Sequence, residues 1–320
     1  MFDQSIQSKL IQVIDELEKK VIGQRQVIRH TLAAMLAGGH ILFEDIPGTG
    51  KTTLATSLAR VLGLDFSRVQ ATPDLLPSEL TGTMVFHPGK NEFQFRQGPV
   101  FTQLLLVDEI NRATPRTQSA LLEAMAEQSV SVDGTSHVLR QPFLVMATAN
   151  PIESQGVFPL PEAQLDRFLV RLQLGYTNEA DEIAMVERIR FGNGFELQPI
   201  LSGPDVIELR DFTRKVHVAP DVLQYIVRLC RQTREHEQVE LGASPRAVLA
   251  VTAFAQGLAV VARRDYVIPD DVQEALVPVL DHRLKTFTKW ARGTDTGEVD
   301  VLQEVLKQVP VPTEFAEVKH

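Results

Sequence analysis

Cysteine is almost absent. Cys230 stands alone among 320 residues, so no disulfide can form within the chain, and a reducing compartment suits it. Its position in the apolar helical run from Val222 to Cys230 reads as a small buried side chain, not a catalytic thiol. Long hydrophobic runs are missing too. No apolar stretch reaches the ~20 residues that span a bilayer, and Met1-Phe2-Asp3-Gln4 lacks the basic-then-apolar order of an export signal. Together these absences predict a soluble, cytoplasmic protein with no membrane span. Positive charge is in deficit: the net charge of -9 argues against nucleic acid as the default partner. The eight histidines show no metal-ligand spacing, and neither low-complexity tracts nor internal repeats occur.

What the chain does have is enough apolar content, 44% of 320 residues, to build a sizeable core in two domains or one large one. Its organising stretch runs from Ile41 to Thr52: a short apolar strand, a glycine-rich turn, then a helix start carrying Lys51-Thr52. Backbone N–H groups of such a turn converge on an anion, and Gly48 and Gly50 let the chain approach it closely. Lys51 would reach the β- and γ-phosphates, and the Thr52 hydroxyl would sit on Mg²⁺. The groups that touch phosphate are expected from Pro47 through Gly48, Thr49, Gly50, Lys51 and Thr52 to Thr53. Asp45 stands where the pattern G-x-x-x-x-G-K-[ST] has its first glycine, which places a carboxylate near the phosphates.

Upstream, the apolar spacing of Ile6, Leu10, Val13, Ile14 and Leu17 predicts an amphipathic helix from Ser5 to Val21, and a second helix follows from Gln24 to Ala37. Downstream of the cradle helix, Asp65 to Gln70 can form a strand. From Thr72 to Pro99 the chain reads as irregular, broken by Pro73, Pro77, Gly82 and Pro88, with a hairpin arm suggested by the alternation from Phe93 to Arg96. Phe101 to Val107 is a buried parallel-strand pattern ending in Asp108-Glu109. In that position Asp108 would hold Mg²⁺ through water and Glu109 would take a proton from an attacking water; the plainer alternative is that the acids cap the helix Pro115 to Gln128. Alternation around Asp133-Gly134 predicts a hairpin from Ser129 to Leu139. The next strand, Phe143 to Ala149, ends at Asn150, which either starts a turn or orients the water between Glu109 and the γ-phosphate. Arg167 is either a surface arginine paired with Asp166 or an arginine finger offered to a neighbouring subunit. Beyond Gly175 helical periodicity takes over: Asp205 to Val216, Ala219 to His236, Ser244 to Arg264 and Pro269 to Arg283, then a last short helix and a tail after Asp295. Arg246 lies in the first turn of the helix that Ser244-Pro245 opens, where a cation is mildly disfavoured by the helix dipole, so an external anion is a reason for it.

The set of motifs resembles the AAA+ ATPases and, within them, the MoxR branch. The likeness runs through Val21-Ile22-Gly23-Gln24, Asp74 to Gly82, Gly98-Pro99-Val100-Phe101, Asp108 to Ala113, Ala147 to Pro151, Leu160 to Phe168, Gly242 to Arg246 and Asp265 to Val272, nearly the whole chain. The resemblance implies an α/β fold, a P-loop αβα sandwich around a parallel sheet over residues 1–175, a connector over 176–204, and a smaller all-α lid over 205–320. It implies that Val21, Ile22 and Gly23 flank adenine, that Lys51 and Thr52 form Walker A, and that Asp108 and Glu109 form Walker B. Asn150 matches sensor 1, Arg167 the trans-acting finger and Arg246 sensor 2. Residues 72–99 match the helix-2 insert and residues 129–142 the pre-sensor-1 hairpin, elements that face a ring's pore. ATP and Mg²⁺ are the implied cofactors. A homo-oligomer in a hexameric ring, a von Willebrand factor A-type partner and protein clients are the implied partners. The favoured expectation is an ATP-hydrolysing ring that remodels or matures client proteins. The alternative is a nucleotide-gated scaffold that binds ATP and assembles with little turnover.

Overall fold

In the computed structural model, which describes residues 4–44, 48–150, 156–191, 196–287 and 297–312, the apolar runs become one parallel sheet. Its strands are β1 (His40–Glu44), β2 (Phe66–Gln70), β5 (Leu104–Asp108), β8 (Leu144–Ala149) and β9 (Phe168–Leu172), in the order β2-β5-β8-β1-β9. All four pairings are parallel. Side chains alternate across such a sheet, so each strand feeds two cores. Leu104 and Leu106 join Ile41, Phe43 and Met146 on one face, whereas Leu105 and Val107 join Leu42 and Val145 on the other. Covered on both faces, the inner strands β1, β5 and β8 need no polar alternation, which is why they read as apolar runs, whereas the edge strand β2 carries Ser67, Arg68 and Gln70.

The first face is covered by α1 (Gln4–Glu18), α2 (Arg25–Leu36) and α3 (Lys51–Val61), and the same core continues into the helices beyond Gly175. The second face is covered by α4 (Pro77–Thr81), α5 (Pro115–Glu127) and the hairpin β6 (Ser129–Val132) with β7 (Thr135–Val138). The stretch from Thr72 to Pro99 is more ordered than its breakers suggest. Pro77 opens α4, the Glu79 carboxylate caps it by accepting from Leu76 N–H at 2.8 Å, and Gly82 at φ 96° releases the chain into the hairpin β3 (Gly82–His87) with β4 (Glu92–Gln97). After β8, the short helix α6 (Glu162–Leu165) leads into β9.

The connector is also structured: it contains α7 (Glu179–Phe191), acidic in its first turn and basic in its last, the order the helix dipole favours. Then come α8 (Gly203–Thr213), α9 (Pro220–Glu235), α10 (Pro245–Val261), α11 (Pro269–Leu280) and α12 (Glu298–Gln308). This helical lid also holds a short antiparallel pair, β10 (Val239–Leu241) with β11 (Lys285–Thr286). The expected tail after the last helix lies largely outside the described residues. The lid is fastened to the sheet domain. A Cβ at Gly257 would strike the Ala33 carbonyl, so α10 and α2 cross backbone to backbone, and Arg210 Nε donates to Met35 O at 2.8 Å at the end of α2.

Candidate functional site: a phosphate cradle and a separate arginine cavity

The C-terminal ends of β1, β5 and β8, neighbours in the sheet, deliver the cradle, the acid pair and Asn150 to one edge. Gly48 and Gly50 sit at φ 86° and 95°, the left-handed region that a side chain resists, and a Cβ built on either meets nothing within 4 Å. There is thus open space beside both glycines, and α3 starts at Lys51. Lys51 Nζ donates to Thr49 Oγ1 at 3.4 Å. Asp45 and Pro47 lie outside the described residues. A cavity of about 370 Å³ is lined by Gly48, Thr49, Gly50, Lys51, Thr52, Arg68, Gln70, Asp108, Glu109, Thr148, Ala149 and Asn150.

The acid pair is held with some care. Asp108 is buried; its Oδ2 accepts from Arg68 Nε at 2.7 Å and its Oδ1 from Thr148 Oγ1 at 3.4 Å. Glu109 adopts φ 57°, an unusual backbone for a residue with a side chain and one that stores roughly 1–3 kcal/mol. Its N–H donates to Thr148 Oγ1 at 2.9 Å, and its Oε2 accepts from Gln70 Nε2 at 2.7 Å and Arg112 Nη1 at 2.9 Å. Glu109 precedes the 3₁₀ turn Ile110–Arg112 without a capping bond from its side chain, and α5 is capped instead by Thr114, whose Oγ1 accepts from Thr117 N–H. Asn150 is buried at the same edge, and its carbonyl accepts from Asn111 Nδ2 at 3.4 Å. Arg68, Gln70 and Thr148 line the same cavity and bond the acid pair, and the sequence alone had not singled them out. The signal was available for the first two: polar side chains at i and i+2 of a strand point the same way.

Val21 and Ile22 line a second cavity of about 190 Å³ together with Gln24, Tyr176 and Met185, and it shares Gly48, Thr49 and Gly50 with the first and also includes Thr53. Gly23, at φ 73°, turns the chain there, and Gln24 Nε2 donates to Leu174 O at 2.9 Å. The chemistry of the donor set fits Mg·ATP: an open N–H turn and an ammonium for phosphates, a hydroxyl and a carboxylate for a hard cation, and an apolar side pocket for a base.

Arg167 and Arg246 are elsewhere. Neither lines the cradle cavity; both line a third one, of about 580 Å³, with His40, Gln128, Asp166 and Arg283. Arg167 is exposed and donates to Leu122 O at 3.1 Å. The Asp166–Arg167 pair weighed from the sequence is not made: Asp166 accepts from Arg283 Nε at 2.7 Å, and Arg246 Nη1 lies 3.8 Å from its other oxygen. Arg246 is 86% exposed. Burial pushes the His40 imidazole down to about 4, with the Arg210 guanidinium adding to the shift. Burial likewise pushes the Cys230 thiol up to about 12, which fits an inert core residue.

Over residues 40–170 the chain matches the ATPase family associated with various cellular activities (AAA), and over residues 231–305 it matches the AAA lid domain. It is 40% identical over 319 residues to the uncharacterised protein YeaC of Bacillus subtilis, covering 99% of both chains. It is 42% identical over 312 residues to Chaperone MoxR1 of Mycobacterium tuberculosis, covering 95% of this chain and 82% of that one. A crystal structure of a presumed ATPase from Cytophaga hutchinsonii superposes with a TM-score of 0.89 at 37% identity over 96% of each chain.

Proposed function

The chain belongs to the MoxR family of AAA+ ATPases, and from that premise we propose that it hydrolyses ATP as a hexameric ring and uses the cycle to remodel or mature client proteins. The observation that carries the reading is the convergence of Lys51, Asp108, Glu109 and Asn150 on one cavity at the ends of adjacent parallel strands. The turn from Pro47 to Thr53 and the Lys51 ammonium bind the phosphates, while Val21, Ile22 and Gly23 border the base. The Thr52 hydroxyl, and Asp108 through water, would hold Mg²⁺, which when bound would supply neutralising charge to the phosphates. Glu109 accepts a proton from water as the water oxygen bonds to the γ-phosphorus and the bond to the bridging oxygen breaks, releasing ADP and phosphate. Asn150 orients that water. Arg167 and Arg246 share one cavity away from the cradle, which supports their meeting the nucleotide of a neighbouring subunit.

Residues 1–175 act as the nucleotide-binding core, 176–204 as connector and 205–320 as lid in this reading. Among the described residues no helix is long and apolar enough to cross a membrane; a cytoplasmic location is a separate part of this proposal. A relative named as a chaperone supports protein clients, reached alone or through a von Willebrand factor A-type partner. A second reading, a scaffold with little turnover, is favoured by the bonds that Gln70 and Arg112 make to Glu109. Steady-state phosphate release decides between them. Wild type should turn over ATP with Mg²⁺ at a steady rate well above its background without Mg²⁺, and Lys51→Ala should lose nucleotide binding in calorimetry while keeping its fold. Undetectable release from an assembled wild-type protein selects the scaffold.

A further inference from the structure

Burying a guanidinium is unfavourable unless its five N–H donors find acceptors, so where a buried arginine spends them tells what it holds. Arg283 ends the 3₁₀ turn Asp281–Arg283 after α11, and its side chain is 6% exposed. Nε donates to Asp166 Oδ1 at 2.7 Å; Nη2 donates to Asp166 O at 3.2 Å and Phe168 O at 2.7 Å; Nη1 donates to Leu169 O at 3.0 Å and to Val279 O. His282 reaches the same Phe168 carbonyl with Nε2 at 3.0 Å. The acceptors outside the lid belong to residues 166, 168 and 169, the chain on both sides of Arg167. Arg167 itself is exposed, and although its Nη1 also holds Leu122 O, the place from which its side chain starts is set by the backbone that launches it.

We propose that Arg283 is a positioning residue for Arg167: a lid guanidinium that clamps the finger's backbone and so fixes where the finger meets the neighbouring subunit's nucleotide. The inference rests on the reading of Arg167 as a trans-acting finger. A planar fork is needed to span a carboxylate and several carbonyls at once, and a lysine ammonium cannot do so. Arg283→Lys keeps the charge and loses the fork.

Complementation separates positioning from a plain lid fastening. A misplaced finger leaves the subunit's own cradle whole, so an intact neighbour restores it; a subunit damaged in its own fold cannot be restored that way. Arg283→Lys should assemble, bind an ATP analogue within about twofold of wild type, and lose about tenfold or more in kcat, a fraction of the ~10³ that a missing finger costs. Mixed with Lys51→Ala subunits, whose fingers are intact, it should regain turnover. Wild-type kcat, or a loss that mixing does not restore in assembled rings, overturns the proposal. Should Arg283→Lys fail to fold, Asp166→Asn, which removes the carboxylate charge from Arg283 and from the more distant Arg246, must show the same restorable loss, and its failure to do so overturns the proposal equally. Arg167→Ala mixed with Lys51→Ala is the control. No recovery there rejects the finger and this inference with it, whereas recovery there but not with Arg283→Lys rejects the inference alone.

Discussion

Gln70 donates to Glu109 through Nε2 at 2.7 Å, and the oxygen it binds is the one that Arg112 also reaches at 2.9 Å. The acid expected to take a proton from water is thus tethered by a side chain from β2, the strand that runs directly into the insert with the β3–β4 hairpin.

Removing the tether should release the acid. We expect Gln70→Ala to raise basal kcat, by up to about tenfold, since a hydrogen bond to a charged group contributes about 1.5–3 kcal/mol at most and less when exposed. KM for ATP should barely move. Steady-state phosphate release over a range of ATP concentrations measures both, and a fall in kcat would mean that Gln70 aims Glu109 instead of restraining it.

Glu109→Gln should bind ATP and scarcely hydrolyse it. The amide keeps the shape and a donor–acceptor contact to Gln70 but cannot accept a proton from water, and general-base catalysis contributes about 10²–10⁴ in rate. Single-turnover chemistry with trapped ATP checks this. Turnover within about tenfold of wild type, a barrier change under about 1.4 kcal/mol, would remove the base role.

Much of this arrangement is legible in the chain because parallel strands covered on both faces must be apolar throughout: Leu104 to Val107 and Leu144 to Ala147 cannot easily be anything else. The glycine-rich turn and the acids at the ends of such strands follow from the same logic. The helix α7 was hidden because its exposed Ile183, Met185 and Val186 leave no single apolar stripe, although its charge order pointed to a helix. Arg68 and Gln70 were hidden because a strand's alternation tells which residues share a face, not what stands opposite them. Arg246 shows the same limit over a longer range. Ser244 and Pro245 announce the helix start, but the cavity it faces is shared with Asp166 and Arg167, far away in sequence.

Stability should fall as pH drops below neutral, and His40 supplies part of the slope. Its Nδ1 accepts from Val145 N–H at 3.0 Å, so Nε2 carries the proton and donates to Met125 O at 3.2 Å; a second proton would face the Val145 N–H. Burial holds its folded value down at about 4, whereas the unfolded chain titrates near its ordinary ~6.5. Between those values the unfolded chain binds a proton that the folded chain refuses. Stability from this group is therefore whole above ~6.5 and declines by about 3 kcal/mol as pH falls towards 4. Urea unfolding at several pH values should give a shallower slope for His40→Gln than for wild type, even though the variant starts less stable at neutral pH.

The most discriminating prediction concerns Arg246. A sensor acting on its own subunit's nucleotide would have to approach the cradle, yet Arg246 shares the cavity of Arg167 and lies 3.8 Å from Asp166. Being 86% exposed, that contact adds little to stability, so Arg246→Ala should fold and assemble. It should bind ATP as wild type does and hydrolyse it at least about tenfold more slowly, the loss expected when a guanidinium on transferring phosphate is removed. Mixing it with Lys51→Ala subunits then distinguishes the two geometries. If Arg246 acts across the interface, an intact cradle in one subunit meets an intact Arg246 in the next, and turnover returns. If it acts within its own subunit, every intact cradle in the mixture still lacks its arginine, and every intact arginine belongs to a dead cradle. Recovery measured in rings verified to contain both variants would thus assign Arg246 to the neighbour's nucleotide, and its absence would require the lid to swing Arg246 away from Asp166 and onto the cradle of its own chain.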